Sequence, residues 1–234
     1  MSEIVYGKNS FFEALDNNRI ICAYVLDNSL ATRFKEKRID YKIVDRKTLD
    51  KMSKSGNHQG YLAEVKQFKL AQLEDLIKKE NGLIVVLDGL KDPHNLGAII
   101  RTAECAGVDG IIYKTHNAVK VNDTVAKVAS GAVEYVKIVE VNNIVNTLKK
   151  LKDNGYWIVG SDGMADTYYN ELKYDMNTVL VIGSEGEGIS RLVKQECDYM
   201  VKLPMVGKVT SLNASVASGI LIYNVLDKRN CGKQ

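Results

Sequence analysis

The chain is short of the residue types that build metal centres and disulfide frameworks. Its three histidines, His58, His94 and His116, are scattered, so a metal cluster has no support. The four cysteines, Cys22, Cys105, Cys197 and Cys231, are widely spaced and form no C-x-x-C pair. Free thiols in a reducing cytosol fit this spacing better than disulfides or a zinc site. No apolar run approaches the roughly 18 residues that a membrane span requires. The opening MSEIVYGKNS carries Glu3 and no apolar core of signal-peptide length. A cytoplasmic protein without a membrane partner is therefore expected. The phosphate loop G-x-x-x-x-G-K-[ST] and the dinucleotide pattern G-x-G-x-x-G are both missing, which removes the fingerprints of nucleoside-triphosphate and NAD enzymes. There is no internal repeat and no low-complexity tract.

What is present is an ordinary globular balance, with 45% hydrophobic and 26% charged residues. A length of 234 residues suits one large domain or two modest ones with a buried core. The net charge of +3 is unevenly placed: residues 1–80 hold 15 Lys and Arg against 12 Asp and Glu, and the remainder is neutral. The basic stretches RFKEKR (33–38) and RKTLDKMSKSG (46–56) suit either a solvated helix face or a polyanion such as nucleic acid.

The first 66 residues alternate helix and strand signals. SFFE (10–13) matches a capping box and predicts a short helix opening at Ser10. IICAYVLD (20–27), YKIVD (41–45) and GYLAEVK (60–66) read as strands. Asn28 and Ser29 are candidate caps for the basic helix after the first of these, and RKTLDKM reads as a further turn or two of helix. LAQLEDLIKKENG has helical spacing and stops at Asn81-Gly82, so 67–81 reads as a linker. Beyond it the texture changes. LIVVLDG (83–89) is a continuous apolar strand of the kind buried on both faces of a parallel sheet. GIIY (110–113), EYVKIVEV (134–141), YWIVGS (156–161) and TVLVIGS (178–184) follow with helical segments between several of them. This βαβ rhythm predicts an α/β fold with a mostly parallel sheet. The expected division is a small α/β unit over 1–66, a linker over 67–81 and a larger unit over 82–234.

Three stretches follow strands, and open α/β sheets bind ligands outside the carboxyl ends of their strands. In DPHNLGAIIRTAECAG (92–107), Leu96, Ile99, Ile100 and Ala103 form an apolar stripe, Asn95 lies near the helix start and Arg101 points elsewhere. Taken alone, Asn95 is a cap and Arg101 a surface charge. In VLVIGSEGEGIS (179–190) a strand runs into Gly183, Gly186 and Gly188, where backbone can approach a ligand closely. Glu185 and Glu187 there would repel a pyrophosphate and suit a ligand with positive charge. In KVTSLNASVASGILIYNVL (208–226), small polar residues, Ser211, Asn213, Ser215 and Ser218, precede an apolar helix. Ser211 or Asn213 could simply cap it.

In that order and spacing, these stretches closely resemble the three motifs of the SpoU (TrmH) family of RNA ribose 2′-O-methyltransferases, in the SPOUT superfamily. The resemblance covers residues 81–228. The N-terminal unit, with IVYG (4–7) and HQG (58–60), is similar to the RNA-binding extension, of ribosomal-protein type, found in the bacterial branch that methylates a guanosine of large-subunit (23S) ribosomal RNA. The resemblance implies a trefoil-knotted methyltransferase domain, a homodimer with its active site completed across the interface, and S-adenosylmethionine as cofactor. It implies no metal. Ile182, Gly183, Leu203, Met205 and Leu212 would line the cofactor site. Arg101 would be the central catalytic residue, with Asn95, Glu185, Ser211 and Asn213 around it and the ribose. A guanidinium is effectively always protonated, so Arg101 is better suited to gripping a phosphate and stabilising a developing alkoxide than to acting as base. The alternatives are the same chemistry on transfer RNA, or a ribosome-binding protein on this fold without catalysis.

Overall fold

The computed structural model describes residues 2–230 except 55, 67, 69, 79, 116 and 117. His116 and Cys231 lie outside the described residues. Two sheets organise the chain, one of four strands and one of seven.

The first sheet has the order β1-β4-β2-β3, from β1 (Ser2–Tyr6), β2 (Ile20–Val25), β3 (Asp40–Ile43) and β4 (Tyr61–Lys66). Helices α1 (Lys8–Asp16) and α2 (Ala31–Lys37) seal one face with Phe11, Leu15 and Phe34, all fully buried. The local starts differ from the sequence expectation. Helix α1 opens at Lys8 behind Gly7, whose φ of 91° only glycine adopts easily, so Ser10 lies inside the helix rather than at its cap. Leu30, with no side-chain cap bond, precedes α2; Asn28 meets the helix start only through its carbonyl, which accepts from the Ala31 N–H, while its side chain accepts from the Tyr41 hydroxyl. Helix α3 (Arg46–Met52) is capped by the Asp45 carboxylate, which accepts from the Thr48 N–H at 2.8 Å.

Among its described residues the linker forms a 3-10 turn at Leu73–Leu76 rather than a helix. Leu76 is its one buried residue, and the Tyr156 hydroxyl donates to the Leu76 carbonyl at 3.2 Å while accepting from the Lys78 N–H at 3.0 Å. Those bonds take main-chain groups that a continued helix would have used.

The second sheet has the order β7-β6-β5-β10-β8-β11-β9, and every neighbouring pair runs parallel. Its strands are β5 (Leu83–Asp88), β6 (Gly110–Lys114), β7 (Ile138–Val141), β8 (Tyr156–Ser161), β9 (Thr167–Tyr168), β10 (Asn177–Gly183) and β11 (Tyr199–Lys202). The expected strand over 134–141 is shorter because a 3-10 turn occupies Ala132–Glu134. Alternate residues of the central strands face opposite layers. Val85, Leu87, Leu180 and Ile182 pack against α4 (Pro93–Cys105), α5 (Asp123–Ala129) and α8 (Ala214–Asn230). Ile84, Val86, Val179 and Val181 pack on the side of α6 (Ile144–Asp153) and α7 (Arg191–Gln195). Among the described residues no helix is long and apolar enough to cross a membrane.

Two anchors place the functional helices. Gly97 lets α5 close onto α4, since a Cβ there would lie 2.7 Å from Val128 Cβ and 2.9 Å from the Val125 carbonyl. At the other end of the sheet, Arg229 of α8 donates to the carbonyls of Tyr174, Asn81, Gly82 and Met176 and to Thr178 Oγ1, over 2.8–3.2 Å. The rigid fork of one guanidinium thus ties the last helix to the starts of β5 and β10.

Candidate active site

The carboxyl ends of β5 and β10 lie side by side, with Gly183 paired to Asp88. Three segments converge there. The first is the start of α4. Asp92 caps this helix, accepting from the His94 N–H at 2.9 Å with Pro93 behind it, so Asn95 is released from the capping role its position allowed. Asn95 is 5% exposed and its side chain points out of the helix start.

The second segment is the glycine loop after β10. Ser184 and Gly188 exchange two backbone hydrogen bonds, at 3.1 and 3.0 Å, folding 184–188 into a tight loop. A Cβ on Gly183 would lie 2.1 Å from the Gly188 carbonyl carbon and 2.3 Å from the Ile189 nitrogen. The close approach that Gly183 permits is therefore that of the chain's own returning backbone. Gly186 and Gly188 supply the positive φ values of 87° and 68° that close the loop. Asp88 Oδ2 accepts from the Ser190 N–H at 2.8 Å and pins the far end of the loop. Sequence reasoning passed over Asp88; its one signal is a carboxylate ending an otherwise apolar strand.

The third segment is the start of α8. Asn213 Oδ1 accepts from the Ser215 N–H at 2.9 Å, which caps the helix. Its amide nitrogen donates at 2.8 Å both to Asn95 Oδ1 and to Glu185 Oε1. Asn95 Nδ2 closes the ring by donating to Glu185 Oε1 at 2.9 Å. One residue from each of the three motifs thus forms a closed polar cluster at the strand ends. Glu185 Oε1 is saturated by these donors, while Oε2 takes no bond from the described residues.

The other expected site residues stand differently. Ile182 and Leu203 are 4% and 8% exposed and belong to the core against α8. Met205 and Leu212 are each 38% exposed on the irregular segment between β11 and α8. Ser211 is exposed on the same segment. None of the described main-chain groups of 203–212 is bonded to another backbone group, and a Cβ at Gly207, like one at Gly186 or Gly188, would meet nothing within 4 Å. Apolar side chains beside free main-chain donors and acceptors fit an adenosine-containing ligand, and a neighbouring carboxylate, Glu185, fits one with a positive centre.

Arg101 is not part of the cluster. Six residues beyond Asn95 on α4, it sits about 9 Å further along the helix and about 120° around it. It is exposed, and its Nη1 donates to Ser130 Oγ at 3.3 Å. Ser130, the residue after α5, also went unnoticed in the sequence. Among the thiols, Cys197 lies under the β8 end, and burial, reinforced by Asp198, pushes it up to about 11, which removes it as a nucleophile.

Comparison with known proteins places this geometry. A sequence model of the SpoU rRNA methylase family matches residues 82–223, and one described as RNA 2′-O ribose methyltransferase substrate binding matches residues 4–71. YacO of Bacillus subtilis, provisionally named a TrmH family tRNA/rRNA methyltransferase, is 42% identical over 241 residues, covering 97% of this chain and 96% of that protein. A Staphylococcus saprophyticus protein with the same provisional family name is 38% identical over 244 residues, covering 98% of both. Among solved structures, the SpoU methyltransferase AviRb of Streptomyces viridochromogenes, in complex with the cofactor AdoMet, superposes with a TM-score of 0.86 at 22% identity, covering 99% of this chain and 92% of that one. The A. aeolicus TrmH/SpoU tRNA modifying enzyme gives 0.60 at 32% identity, covering 69% and 82%.

Proposed function

This chain belongs to the SpoU rRNA methylase family, and from that membership we propose that it methylates the ribose 2′-hydroxyl of a guanosine in 23S ribosomal RNA. S-adenosylmethionine, when bound, would supply the methyl group from its sulfonium, leaving S-adenosylhomocysteine as the ribose C–O bond forms, with the 2′-hydroxyl proton passing to phosphate or water. The observation that carries the reading is the cluster of Asn95, Glu185 and Asn213, which joins the three motifs at the strand ends.

Each residue has a task set by its place. Ile182, Gly183, Leu203, Met205 and Leu212 hold the cofactor, the apolar side chains against its adenosine and the open main chain of 203–212 against its polar edges. The cluster fixes the start of α8 and the glycine loop relative to α4, which keeps the reacting groups in a near-attack arrangement. Arg101 grips the phosphate beside the target ribose and stabilises the alkoxide as it develops. Ser211, exposed two residues before Asn213, faces the ribose. Residues 1–66 select the RNA through their basic surface, 67–81 link them to the catalytic unit, and 82–234 form a trefoil-knotted methyltransferase domain. Phosphate contacts of this kind make binding salt-sensitive.

The protein works as a cytoplasmic homodimer. Val216, Ile220 and Tyr223 form an exposed apolar stripe at helical spacing along α8, 37–49% accessible, which a second copy covers. Because Arg101 lies away from its own chain's cluster, pairing across this face brings the arginine of one copy to the cluster of the other.

The test is methyl transfer from labelled S-adenosylmethionine to unmodified large-subunit rRNA, with tRNA in parallel, and sites mapped by resistance to alkaline cleavage. One protected guanosine in rRNA, lost with Arg101→Ala, is expected. Label in tRNA alone would keep the chemistry and overturn the substrate. Cofactor binding without transfer to either would point to a non-catalytic ribosome-binding protein.

A further inference from the structure

Ser130 occupies a conformation that serine does not favour. Its φ of 51° and ψ of 41° are left-handed, at the C-terminal end of α5, where glycine or asparagine is the usual occupant. Gly131 follows at φ 90°. The gain from serine here is its hydroxyl, which accepts from Arg101 Nη1 at 3.3 Å.

The turn that carries Ser130 is itself held by the N-terminal unit. A Cβ on Gly131 would lie 2.2 Å from Glu13 Cγ, so α1 presses directly on it. Glu134, three residues on, pairs with Arg19, and the two side chains are 8% and 11% exposed. Arg19 is in turn fixed by the Lys66 carbonyl, at 3.1 and 2.8 Å, and lies 3.5 Å over the Phe68 ring. Tyr135 adds a hydrogen bond from its hydroxyl to Glu13 Oε2 at 3.0 Å. A hydroxyl on so constrained a turn is a fixed point.

We propose that Ser130 is the positioning residue for Arg101: it holds the guanidinium outward from α4, where an RNA phosphate and a second copy's cluster arrive. The proposal rests on the assignment of Arg101 to the transfer reaction. Through the clasp of Glu13 and Arg19, the RNA-selecting unit and the catalytic arginine share one rigid turn.

Ser130→Gly separates positioning from architecture. Glycine relieves the left-handed backbone, so the variant is expected to melt at or above the wild-type temperature. Its kcat for methyl transfer is expected to fall about three- to tenfold with KM for S-adenosylmethionine unchanged, the size expected for losing one long, solvent-exposed hydrogen bond of ordinary strength. Introduced into Arg101→Ala, Ser130→Gly is expected to cause no further loss, because the two act as one unit. Unchanged kcat in Ser130→Gly while Arg101→Ala is impaired would overturn the positioning role alone. So would a further fall in the double variant, or a loss of activity tracking a loss of stability. An Arg101→Ala enzyme as active as wild type, or a wild type that transfers no methyl to rRNA or tRNA, would instead overturn the reading beneath it, and the proposal with it.

Discussion

Asn213 and Glu185, 28 residues apart in the chain, meet at 2.8 Å through an amide N–H and a carboxylate oxygen. Asn213 thereby does two jobs with opposite ends of one side chain. Its oxygen caps α8, and its nitrogen binds the glycine loop and Asn95. Substitution can separate them. Asn213→Ala loses both, so it should cost about 1 kcal/mol of stability, as a lost cap does, or roughly 2–4 °C in melting temperature for a chain of this size. Asn213→Ser keeps an oxygen cap and should melt within about 0.5 kcal/mol of wild type, yet it lacks the amide nitrogen that reaches both Glu185 and Asn95. Both variants should lose at least tenfold in methyl transfer. Calorimetry beside the transfer assay reads the difference, and an active Asn213→Ser would show that the cluster is only a helix cap.

The glycine loop offers a second separation. Gly183 is needed for space, because its Cβ would collide with the backbone of Gly188 and Ile189. Gly188 is needed only for its φ of 68°, since its Cβ would meet nothing within 4 Å. Gly183→Ala should force the loop open, cost about 1–3 kcal/mol as overpacking does, and abolish binding of S-adenosylmethionine by titration calorimetry. Gly188→Ala should cost roughly 1 kcal/mol and leave measurable binding. Equal effects would mean that the fold-back after Gly183 does not shape the cofactor site.

The central strands were legible in the sequence for a physical reason. LIVVLD and TVLVIG are buried on both faces, so their composition alone marks them. Strand β1 (SEIVY) at a sheet edge, the two-residue β9 and the short β11 carry no such signal and went unread. The linker misled because Leu73, Leu76 and Ile77 have helical spacing, while tertiary bonds from Tyr156 take the main chain out of a helix after one turn. The meeting of Asn95, Glu185 and Asn213 spans 118 residues, and no periodicity encodes it. The family resemblance pointed to those three residues; the structure supplies their mutual bonds and detaches Arg101 from them. Ser130 stayed hidden because its role depends on a left-handed turn that serine does not announce.

The thiols differ in a way that pH exposes. Cys197 is partly buried beneath β8, and that burial together with Asp198 raises its thiol pKa to about 11. A raised thiol pKa means that the thiolate is the disfavoured form, so at pH 8 only on the order of one in a thousand Cys197 side chains is ionised. Cys105 is exposed on α4. Iodoacetamide at pH 8 should therefore label Cys105 within minutes and leave Cys197 unmodified in the folded protein, as read by peptide mass spectrometry. Labelling of Cys197 should rise steeply between pH 9 and 11 or on unfolding. Prompt modification at pH 8 would mean that the β8–α7 layer opens in solution.

A shared active site makes the sharpest demand on the arrangement of Arg101. On one chain, Arg101 lies on the outward face of α4, while Asn95 points into the cluster with Glu185 and Asn213. Helix α8 packs beside α4, with Thr102 Cγ2 placed 3.8 Å from where a Cβ of Gly219 would stand, so its apolar stripe lies next to the arginine. If two copies join through that stripe, Arg101→Ala disables a site that the partner's Asn213 completes. Each variant alone should be inactive as a homodimer. Dissociating and mixing the two should give heterodimers in which one site carries both defects and the other carries neither, restoring roughly a quarter of wild-type activity under random pairing. Ile220→Glu, which buries a charge in the stripe on association, should yield a monomer by sedimentation, folded but inactive. Recovery on mixing Arg101→Ala with Asn213→Ala requires two copies per site, whereas no recovery would place the whole reaction within one chain and leave the stripe to another use.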